Sequence, residues 1–557
     1  MKKWQIAAGG KAKKSGHTRD NLIALLLTNR GVTTKQDIEE FLTPPNPINL
    51  TSKDVGIAPA ALKKALARIQ RAIEKKESVI VYADYDADGI TAGAILWETL
   101  YRAGAHVMPY IPHREKEGYG LSVAGIDAVR AAHDPSLIIT VDHGITAWEK
   151  VEYAKKLGID VIITDHHVPP KRIPDTTIVH TTKLSGSGVS WFVAKEILKL
   201  QKGKEADKNG DEITALAAIG TIADMVPLVG ANRAIARKGL AVVNATHRVG
   251  LLALLTDAGL TKGAIGTYEI SHMIAPRLNA MGRLEHALDA LRLLCTGKED
   301  KAMLLARKLG LTNKERQQLT IDTAAHAASQ VGKTTKKKLL FIASTSYNQG
   351  IIGLVAGKLV EQYFRPAIVV SQGDGVSKGS ARSIPGFNIV EAIRTASDLL
   401  VDVGGHPMAA GFTVETKNIE KLKEHMEALA EDELTEEMLT RVLRIDAEIP
   451  LEMADEKLWE KLRAFEPYGF GNQQPVFATR GVTVMEVRLV GAEGRHLKLR
   501  LMGAATKQLE AIAFGMGSLY GKLQDKPKVD IAYTLDMNEW NGKKSLQLKA
   551  KDIQATS

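Results

Sequence analysis

Residues 78–91, SVIVYADYDADGIT, decide the fold of this chain of 557 residues. A run of β-branched and aliphatic residues leads into three aspartates, Asp84, Asp86 and Asp88. Such runs are typical of strands buried on both faces of a parallel sheet. The sequence that follows, GITAGAILWETLYRAG at 89–104, has the apolar spacing of a helix. We therefore predict a strand, an acidic loop and a helix in that order.

Further clusters of acidic residues and histidines occur later in the chain. Asp142 lies in IITVDHGIT, Asp165-His166-His167 ends IITDHH, and Asp224 lies in IGTIADMV. Runs of aliphatic and β-branched residues precede the first two clusters. The carboxyl ends of parallel strands share the edge of a sheet at which open α/β folds bind ligands. We therefore expect these side chains to lie together at one edge of a doubly wound parallel sheet.

The clusters indicate a particular kind of metal site. Oxygen ligands with one or two imidazoles suit Mn²⁺ or Mg²⁺ better than softer ions. Two such ions, about 3.5–4 Å apart, can activate a water and hold a phosphate. A calcium-binding EF-hand is excluded, because its last loop position needs a Glu and here falls in an apolar helix. Taken singly, Asp142 and Asp224 could also cap helices, so the prediction depends on the clusters occurring jointly.

Taken together, these segments resemble a known family. DYDADG at 84–89, DHG at 142–144, DHH at 165–167 and Asp224 are similar, in that order, to the four motifs of the DHH phosphoesterase superfamily. Farther on, KGSARS at 378–383 and GGH at 404–406 followed by AAGF resemble its DHH-associated domain. Three more segments resemble the RecJ-type exonucleases of that superfamily: PRLNAMGRLEHALDALRLL, RPAIVV and PYGFGNQQPVF. The resemblance spans roughly residues 50–555.

The resemblance implies a metal-dependent 5′→3′ exonuclease that acts on single-stranded DNA in recombination and repair and releases 5′-mononucleotides. It implies two ions, Mn²⁺ or Mg²⁺, and a hydroxide formed from coordinated water as the nucleophile. The catalytic residues that it implies are Asp86, Asp88, Asp142, His166, His167 and Asp224. The metal ligands that it implies are Asp86, Asp88, Asp142, His166 and Asp224, together with Asp84, for which direct or indirect binding stays open.

The same resemblance implies a set of contacts to the substrate. Ser380 and Arg382 alternate along one strand and so face the same side, where a guanidinium can bind a terminal phosphate. The remaining expected contacts are Gly404, Gly405, His406, Arg277 and Arg283. For Arg283, pairing with Glu285 is an open alternative.

The pattern of the whole chain predicts an α/β fold of several domains. The catalytic domain is followed by a long connecting helix or helix pair, a second α/β domain and a C-terminal β-barrel of the OB type. We expect the lead-in to pack on the catalytic domain. The expected limits are 1–70 for the helical lead-in, 71–283 for the DHH catalytic domain, 284–335 for the connecting helices, 336–432 for the DHH-associated substrate domain and 440–557 for the nucleic-acid-binding barrel.

The barrel carries two groups of residues that suit single-stranded nucleic acid, namely stacking aromatics and cations. The aromatic candidates are Trp540, Tyr533, Phe514 and Tyr520, with core positions as the alternative. The basic candidates are Arg488, Arg495, Lys498 and Arg500, with a solvated face as the alternative.

Composition is consistent with this hypothesis. The formal net charge of +10 favours a polyanionic partner. Cys295 is the sole cysteine, so no disulfide is expected, which fits a reducing cytoplasm. We expect no signal peptide, because the basic N-terminus lacks an apolar segment, and no membrane span, because no run of about 18 apolar residues occurs. Single-stranded DNA is the expected partner, with a single-strand-binding protein and a helicase beside it, and the protein is expected to be a monomer.

Other hypotheses stay open at this point. A small-substrate DHH phosphodiesterase, acting on dinucleotides or cyclic dinucleotides, would share the catalytic residues but would not need the barrel. A pyrophosphatase of the superfamily would be much shorter. A catalytically silent DNA-binding scaffold would keep the fold, although the intact acidic motifs argue against it.

Overall fold

The computed structural model describes residues 2–8, 18–114, 117–200, 204–332, 336–525, 527–540 and 542–556. The chain divides into two compact units. The barrel unit comprises Met1–Val55, Asp224–Ala241 and Val442–Ser557. The α/β unit comprises Gly56–Ala223 and Val242–Arg441.

The strands of the described residues belong to one small ribbon and three larger sheets. In chain order they are β1 Lys3–Ile6, β2 Ser78–Ala83, β3 His106–Tyr110, β4 Leu137–Val141, β5 Asp160–Asp165, β6 Thr177–His180, β7 Leu340–Ser344, β8 Ala367–Ser371, β9 Val376–Arg382, β10 Leu400–His406, β11 Ala409–Glu415, β12 Val442–Ile445, β13 Ala447–Glu448, β14 Phe477–Val490, β15 His496–Met502, β16 Gln508–Ala513, β17 Lys528–Trp540 and β18 Lys543–Ala555.

The α-helices differ widely in length, from single turns to the long helix between the two α/β sheets. In chain order they are α1 Arg19–Thr28, α2 Lys35–Leu42, α3 Pro59–Glu74, α4 Ala87–Arg102, α5 Val123–His133, α6 Trp148–Lys156, α7 Gly186–Leu200, α8 Lys204–Ala223, α9 Gly230–Ala245, α10 Val249–Asp257, α11 Thr267–Glu269, α12 Ala275–Leu284, α13 Leu288–Cys295, α14 Glu299–Val331, α15 Ile352–Tyr363, α16 Ile389–Arg394, α17 Ile419–Glu433, α18 Glu456–Arg463 and α19 Tyr520–Leu523.

The first sheet of the α/β unit is parallel throughout, in the order β3-β2-β4-β5-β6. This is the 2-1-3-4-5 order of a doubly wound fold. Helices α5 and α6 cover one face, with Ile126 and Val151 in the same core as Ile80 and Ile138 of the strands. Helices α4 and α7 pack on strands of the same sheet. The predicted fold class is confirmed here.

The strand order fixes where a ligand site is expected. The chain runs from β2 to β3 on one side and then returns to β4 on the other side of β2. The connections at the carboxyl ends of β2 and β4 therefore diverge and leave a crevice, which is where doubly wound folds bind ligands. Asp84 and Asp142 are the first residues after these two strands.

The second sheet of the α/β unit is mixed, in the order β10-β11-β9-β8-β7. The sequence predicts a turn at Gly404-Gly405-His406, but these residues end strand β10 and pair with β11. The turn consists of Pro407 and Met408, which separate the two strands. Gly405 has a φ of 143°, and a Cβ there would lie 2.3 Å from the Ala409 carbonyl oxygen, so this glycine is needed for the pairing of β10 with β11 and not for the turn itself.

Helices connect the two sheets of the α/β unit. Helix α14 has 33 residues and follows the shorter helices α12 and α13. The predicted long connecting helix is therefore present. Helix α14 packs against α10, α12 and α15, so it belongs to the core of the α/β unit.

The barrel unit contains a closed five-stranded barrel. Strands β14, β15, β16, β18 and β17 pair in that order, and β17 pairs again with β14. The predicted barrel is thus confirmed, with the strand number of an OB-fold. Among the aromatic candidates, Tyr533 is buried and Phe514 is 58% exposed, while the Trp540 side chain lies outside the described residues.

The N-terminal segment differs from the prediction of a purely helical lead-in. It begins with strand β1, which pairs in parallel with β12. Leu22, Leu26 and Phe41 of helices α1 and α2 lie in the hydrophobic core of the barrel. The prediction that this segment packs on the catalytic domain is therefore wrong for residues up to Val55, because its apolar side chains are buried in the barrel unit.

A buried arginine holds residues Asp224–Ala241 within the barrel unit. The Arg233 guanidinium donates to the carbonyl oxygens of Phe41, Phe465 and Glu466 at 2.8–2.9 Å. It also lies over the Phe41 ring, at 4.2 Å from its centroid. Backbone carbonyls thus satisfy a charge that would otherwise be costly to bury.

Among the described helices, none by itself has the length and apolar composition needed to cross a membrane. The consecutive helices α9 and α10 meet that test only as a bent pair.

Candidate metal and phosphate site

The predicted acidic residues and histidines form one cluster. Three groups offer ligand atoms within 4.8 Å of one another, and Asp142 and His166 each belong to two of them. The groups are Asp142, His166 and His167; Asp88, His166 and Asp224; and Asp84, Asp86 and Asp142. All the residues predicted as metal ligands are in these groups. We call the residues of the three groups together the acidic cluster.

Secondary structure brings the members of the acidic cluster together. Asp84 and Asp142 follow β2 and β4, and His166 follows β5, so each leaves the same edge of the parallel sheet. Asp224 directly follows the last residue of α8. Asp142 has a φ of 68°, in the left-handed region that non-glycine residues rarely adopt. Strain of this kind is concentrated at functional sites.

Backbone amides orient two of the carboxylates. Asp86 caps α4, and its Oδ1 accepts from the amides of Asp88 and Gly89 at 3.0 Å. The Asp88 carboxylate accepts from the amides of Gly186 and Ser187 at 2.7 and 3.0 Å, at the start of α7. A helix N-terminus favours negative charge, so both carboxylates are held in place before any ion arrives.

Burial leaves part of this negative charge uncompensated. The Asp84 side chain is buried, and its Oδ1 has no hydrogen-bond partner among the described residues. Burial, and next the neighbouring Asp86, raise the pKa of Asp84 well above its ordinary value. Burial and then Asp88 raise the pKa of Asp86 as well. Buried carboxylates close to one another are stable as anions only beside a cation, so the donor set fits hard divalent ions such as Mn²⁺ or Mg²⁺.

Two glycines make room for these carboxylates. A Cβ at Gly186 would overlap the Asp142 carboxylate, and one at Gly220 would lie 2.5 Å from Asp88 Oδ1. Both glycines lie in helices, where glycine is unfavourable without such a reason. These two positions are not predicted from the sequence, although a glycine in a helical pattern is a usable signal.

Asp165 orients the two histidines of the DHH motif. Its Oδ1 accepts from the amides of His166 and His167 at 2.7 and 3.0 Å and from His167 Nδ1 at 2.8 Å, and its Oδ2 accepts from the amide of Ile145. Burial opposes ionisation of Asp165, but these hydrogen bonds, led by that of the His167 side chain, lower its pKa. Burial alone lowers the pKa of His167. The hydrogen bond and charge of Asp165 raise it by more, so the pKa of His167 lies above its ordinary value.

Two other predicted or neighbouring histidines, His143 and His406, have different environments. His143 is buried, its Nε2 lies 3.0 Å from the carbonyl oxygen of Tyr82, and burial lowers its pKa to about 4. His406, on strand β10 of the second sheet, lies parallel to the His167 ring with centroids 6.4 Å apart. The structure therefore brings the predicted residues His167 and His406 together.

Next to the acidic cluster, four arginines lie close together. Burial lowers the pKa of Arg283 to about 10, and the repulsion of Arg114, Arg316 and Arg382 adds to that effect. Burial and then Arg114 lower the pKa of Arg382. Among the described residues, none of the four forms an ion pair with a carboxylate, and we call them the arginine cluster.

The surroundings of the arginine cluster point to an anion. Arg114 lies over the Tyr85 ring, 5.1 Å from its centroid, and Arg283 donates to the Gly350 carbonyl oxygen at 3.1 Å. Arg382 donates weakly to Ser380 Oγ at 3.4 Å. Guanidinium groups held this way, without carboxylates, match the geometry and charge of a phosphate.

The predicted contact Arg277 has a different environment. Its Nε pairs with Asp257 Oδ2 at 3.0 Å, and its guanidinium donates to the Met273 carbonyl oxygen at 2.8 Å. The alternative pairing of Arg283 with Glu285 is not present in the described structure, because Glu285 pairs with Lys308.

Three family models match the chain: the DHH family N-terminal domain at residues 78–221, the DHHA1 domain at 335–432 and the RecJ OB domain at 445–552. The single-stranded-DNA-specific exonuclease RecJ of Bacillus subtilis is 36% identical over 95% of this chain and 67% of that protein. Its namesake from Thermus thermophilus is 35% identical over 95% of this chain and 75% of that protein.

The chain belongs to the RecJ family.

Solved structures of the RecJ family match the whole fold. The crystal structure of RecJ in complex with Mn²⁺ from Thermus thermophilus has a TM-score of 0.83 and 31% identity, covering 100% of this chain and 80% of that chain. The corresponding complex with Mg²⁺ has a TM-score of 0.77 and 30% identity, covering 100% and 79%. The predicted resemblance is thereby confirmed.

Two arginines of the arginine cluster are not predicted from the sequence of this RecJ family member. Arg114 lies in the loop after β3, and Arg316 lies in the middle of α14. Neither has a local sequence pattern that indicates a phosphate. The repeated glycines after Arg114, in REKEGYG, were the one available signal of a loop built for close approach.

Proposed function

We propose that this protein is a metal-dependent exonuclease that hydrolyses single-stranded DNA in the 5′→3′ direction and releases 5′-mononucleotides. One observation carries the proposal. A cluster suited to divalent cations adjoins a cluster suited to a phosphate, since Arg114 of the second lies over the ring of Tyr85, which stands between Asp84 and Asp86 of the first. A strand with its 5′-phosphate on the arginines would present its first phosphodiester to the acidic cluster.

The residues suited to hold two ions, Mn²⁺ or Mg²⁺, are the carboxylates and one imidazole of the acidic cluster. When bound, such ions lower the pKa of water and neutralise charge on a phosphate. The chain itself contributes the orientation of the ligands by Asp165 and by the helix N-termini. The ligands proposed are Asp84, Asp86, Asp88, Asp142, His166 and Asp224.

The remaining groups act on the substrate. We propose that His167, whose Nδ1 faces Asp165, and His406 donate hydrogen bonds to the scissile phosphate. Arg283 and Arg382 with Ser380 would bind the 5′-phosphate, joined by Arg114 and Arg316. Gly404 and Gly405 would let the backbone approach the strand. Arg277 would serve mainly to hold α12 against Asp257 of α10.

The family resemblance supports several further parts of the proposal. We propose a role in DNA recombination and repair in the cytoplasm, as a monomer, with a single-strand-binding protein and a helicase as partners. We also propose the segment limits 1–70, 71–283, 284–335, 336–432 and 440–557. The family-model matches at 78–221 and 445–552 lie inside two of these segments, and the match at 335–432 begins one residue before a third.

A degradation assay tests the proposed activity and its polarity. One single strand is labelled at either its 5′ or its 3′ end and incubated with Mn²⁺ or Mg²⁺. We expect the 5′ label to be released at once as a mononucleotide, while the 3′-labelled strand shortens progressively. Shortening from the 3′ end would contradict the polarity. Faster turnover of dinucleotides than of long strands would favour a small-substrate phosphodiesterase.

A second experiment tests the metal site without relying on activity. Mn²⁺ should raise the melting temperature of the wild-type protein, because binding to the folded state stabilises it by mass action. Asp142→Ala should remove most of that increase, whereas Asp127→Ala, which changes a carboxylate outside the acidic cluster, should keep it. Equal increases in both variants would contradict the ligand assignment.

A further inference from the structure

Between β3 and α5, the loop that carries Arg114 is closed by Glu117. The Glu117 amide donates to the His113 carbonyl oxygen at 2.8 Å, and Glu117 Oε1 accepts from the His113 amide at 2.9 Å. These two hydrogen bonds join two residues of the loop, one on each side of Arg114 in the sequence. Arg114 directly follows His113, so its backbone starts from a fixed point.

The same carboxylate fastens the loop to the sheet. Glu117 Oε2 accepts from the Tyr110 hydroxyl at 2.5 Å. Tyr110 is the last residue of β3 and pairs with Tyr82 of β2, and the two rings pack with centroids 4.9 Å apart. The hydroxyl is therefore a rigid anchor, because both the backbone and the ring of Tyr110 are held by the sheet.

Helix α5 adds to this arrangement. A Cβ on Gly125, in the first turn of α5, would lie 3.2 Å from Glu117 Oε2. The carboxylate therefore packs closely against the start of the helix, where the positive end of the helix dipole favours it. Glu117 is thus engaged by a hydroxyl, an amide and a helix N-terminus, and among the described residues it forms no ion pair with Arg114.

We propose that Glu117 is a positioning residue that holds Arg114 in the arginine cluster by fastening the neighbouring residue His113 to the end of strand β3, an arrangement that we call the clamp. The inference rests on the proposed role of that cluster as the 5′-phosphate site. A loop arginine has many conformations, and fixing its backbone reduces the entropy lost when a phosphate binds. The clamp accordingly affects the preference for strands with a 5′-phosphate and leaves the acidic cluster unchanged.

Kinetics on two substrates test the clamp. The same single strand is prepared with a 5′-phosphate and with a 5′-hydroxyl, and kcat and KM are measured for each at saturating Mn²⁺. The quantity compared is the ratio of kcat/KM for the two strands. Arg114→Ala should lower this ratio by about tenfold, the effect of one charge-assisted hydrogen bond. Tyr110→Phe and Glu117→Gln should also lower this ratio, because they raise KM for the phosphorylated strand.

Two controls separate positioning from general stability. Tyr153→Phe removes another tyrosine hydroxyl that donates to a carboxylate, Asp127 at 2.8 Å, and should leave the ratio unchanged. The double variant Glu117→Gln/Arg114→Ala should have the ratio of Arg114→Ala alone, because a clamp has no effect once its arginine is gone. Tyr110→Phe keeps the carboxylate, so it gives a measurement even if Glu117→Gln folds poorly.

The outcomes distinguish this inference from the proposed function. If Arg114→Ala leaves the ratio unchanged, the phosphate role of the arginine cluster fails, and the clamp fails with it. If Arg114→Ala lowers the ratio but Tyr110→Phe and Glu117→Gln do not, the phosphate site stands and the clamp is overturned. Equal losses of kcat/KM on both strands in the clamp variants would also overturn it, since they would indicate a structural role.

Discussion

The acidic cluster and the arginine cluster are neighbours that hold opposite charges in opposite ways. In the first, carboxylates are oriented by backbone amides and by histidines, as in the bond from the Gly186 amide to Asp88. In the second, guanidinium groups are oriented by carbonyl oxygens and an aromatic ring, as in the bond from Arg283 to Gly350. Each cluster has its side chains oriented by neighbouring groups, and its net charge is not balanced by ion pairs between the two clusters among the described residues.

This difference indicates what each region binds. Charge of one sign accumulates at the acidic cluster despite burial, which is favourable only if cations join it. Among the described residues, the neighbouring arginines form no ion pairs with those carboxylates. Because the described residues keep the two sets apart, we infer that an external cation and an external anion complete them.

The largest expected effect comes from removing a ligand of the acidic cluster. Asp142→Asn keeps the shape of the side chain but removes its charge. Hydrolysis at saturating Mn²⁺ should fall by more than about a hundredfold, the upper end of what is lost when a group merely orients a ligand. The rate is measured on a 5′-phosphorylated single strand, with circular dichroism to check the fold. Residual activity near that of the Asp127→Asn control would contradict the metal assignment.

The acidic cluster could be predicted from sequence for a physical reason. A buried parallel strand must be apolar along its length, so the first polar residue after it marks the edge of the sheet. Asp84 and Asp142 stand at such places, after β2 and β4. The doubly wound order then brings those edges together. The sequence thus predicted both the fold and the group of residues that the structure brings together.

The arginine cluster could be predicted only in part. Ser380 and Arg382 alternate on β9, which the strand period indicates. Arg114 and Arg316 come from a loop and from the middle of a 33-residue helix, and only tertiary packing brings them together. Two other predictions from the sequence were wrong for a similar reason: the turn predicted at Gly404-Gly405 and the predicted packing of the N-terminal helices. Strand pairing in the first case and burial in the barrel core in the second override local preference.

An intermediate effect is expected at the arginine cluster. Arg382→Ala should weaken the use of 5′-phosphorylated strands by about 1.5–3 kcal/mol, the contribution of a hydrogen bond to a charged group. The loss should be much smaller for strands with a 5′-hydroxyl, since these lack the terminal anion. The measurement is kcat/KM on both strands. Arg277→Ala serves as the comparison, because Arg277 pairs with Asp257 and should affect both strands equally.

A smaller effect, on stability, is expected at Asp165. Asp165→Asn leaves a buried hydrogen-bond donor without an acceptor, which costs about 1–3 kcal/mol of unfolding free energy. The depressed pKa of Asp165 makes its contribution present above the ordinary carboxyl value of 3.8 and lost as the pH falls. The raised pKa of His167 makes its contribution present below 6.5 and lost as the pH rises.

The stability difference between the wild-type protein and Asp165→Asn should therefore be largest between these two pH values. Urea unfolding of the metal-free proteins at several pH values measures it. A difference that does not change with pH would mean that shape, and not the ion pair with His167, determines the role of Asp165.

The smallest effect is expected on the surface of the barrel. There we can test again the idea that a cation without a carboxylate partner marks a contact with an anion. Lys498 and Arg500 pair with Glu510 and Glu486 across neighbouring strands, at 2.9 and 3.2 Å. Arg488 is opposite Lys498 in the ladder, is exposed, and forms no ion pair among the described residues. If a cation without a carboxylate marks an anion contact, Arg488 should contact the strand and Lys498 should not. Exposed ion pairs contribute only about 0–1 kcal/mol, so neither substitution should unfold the barrel.

Binding of single strands at several salt concentrations decides between the two cations. Each phosphate neutralised contributes about −0.7 to the slope of log K against log salt for single strands. In the inactive Asp142→Asn background, Arg488→Ala should reduce the magnitude of that slope by about this amount. Lys498→Ala should change it much less, because Lys498 is already paired with Glu510 and would therefore neutralise no phosphate. Equal changes in slope would show that the pairs open when DNA binds, and would limit this idea to buried arginines.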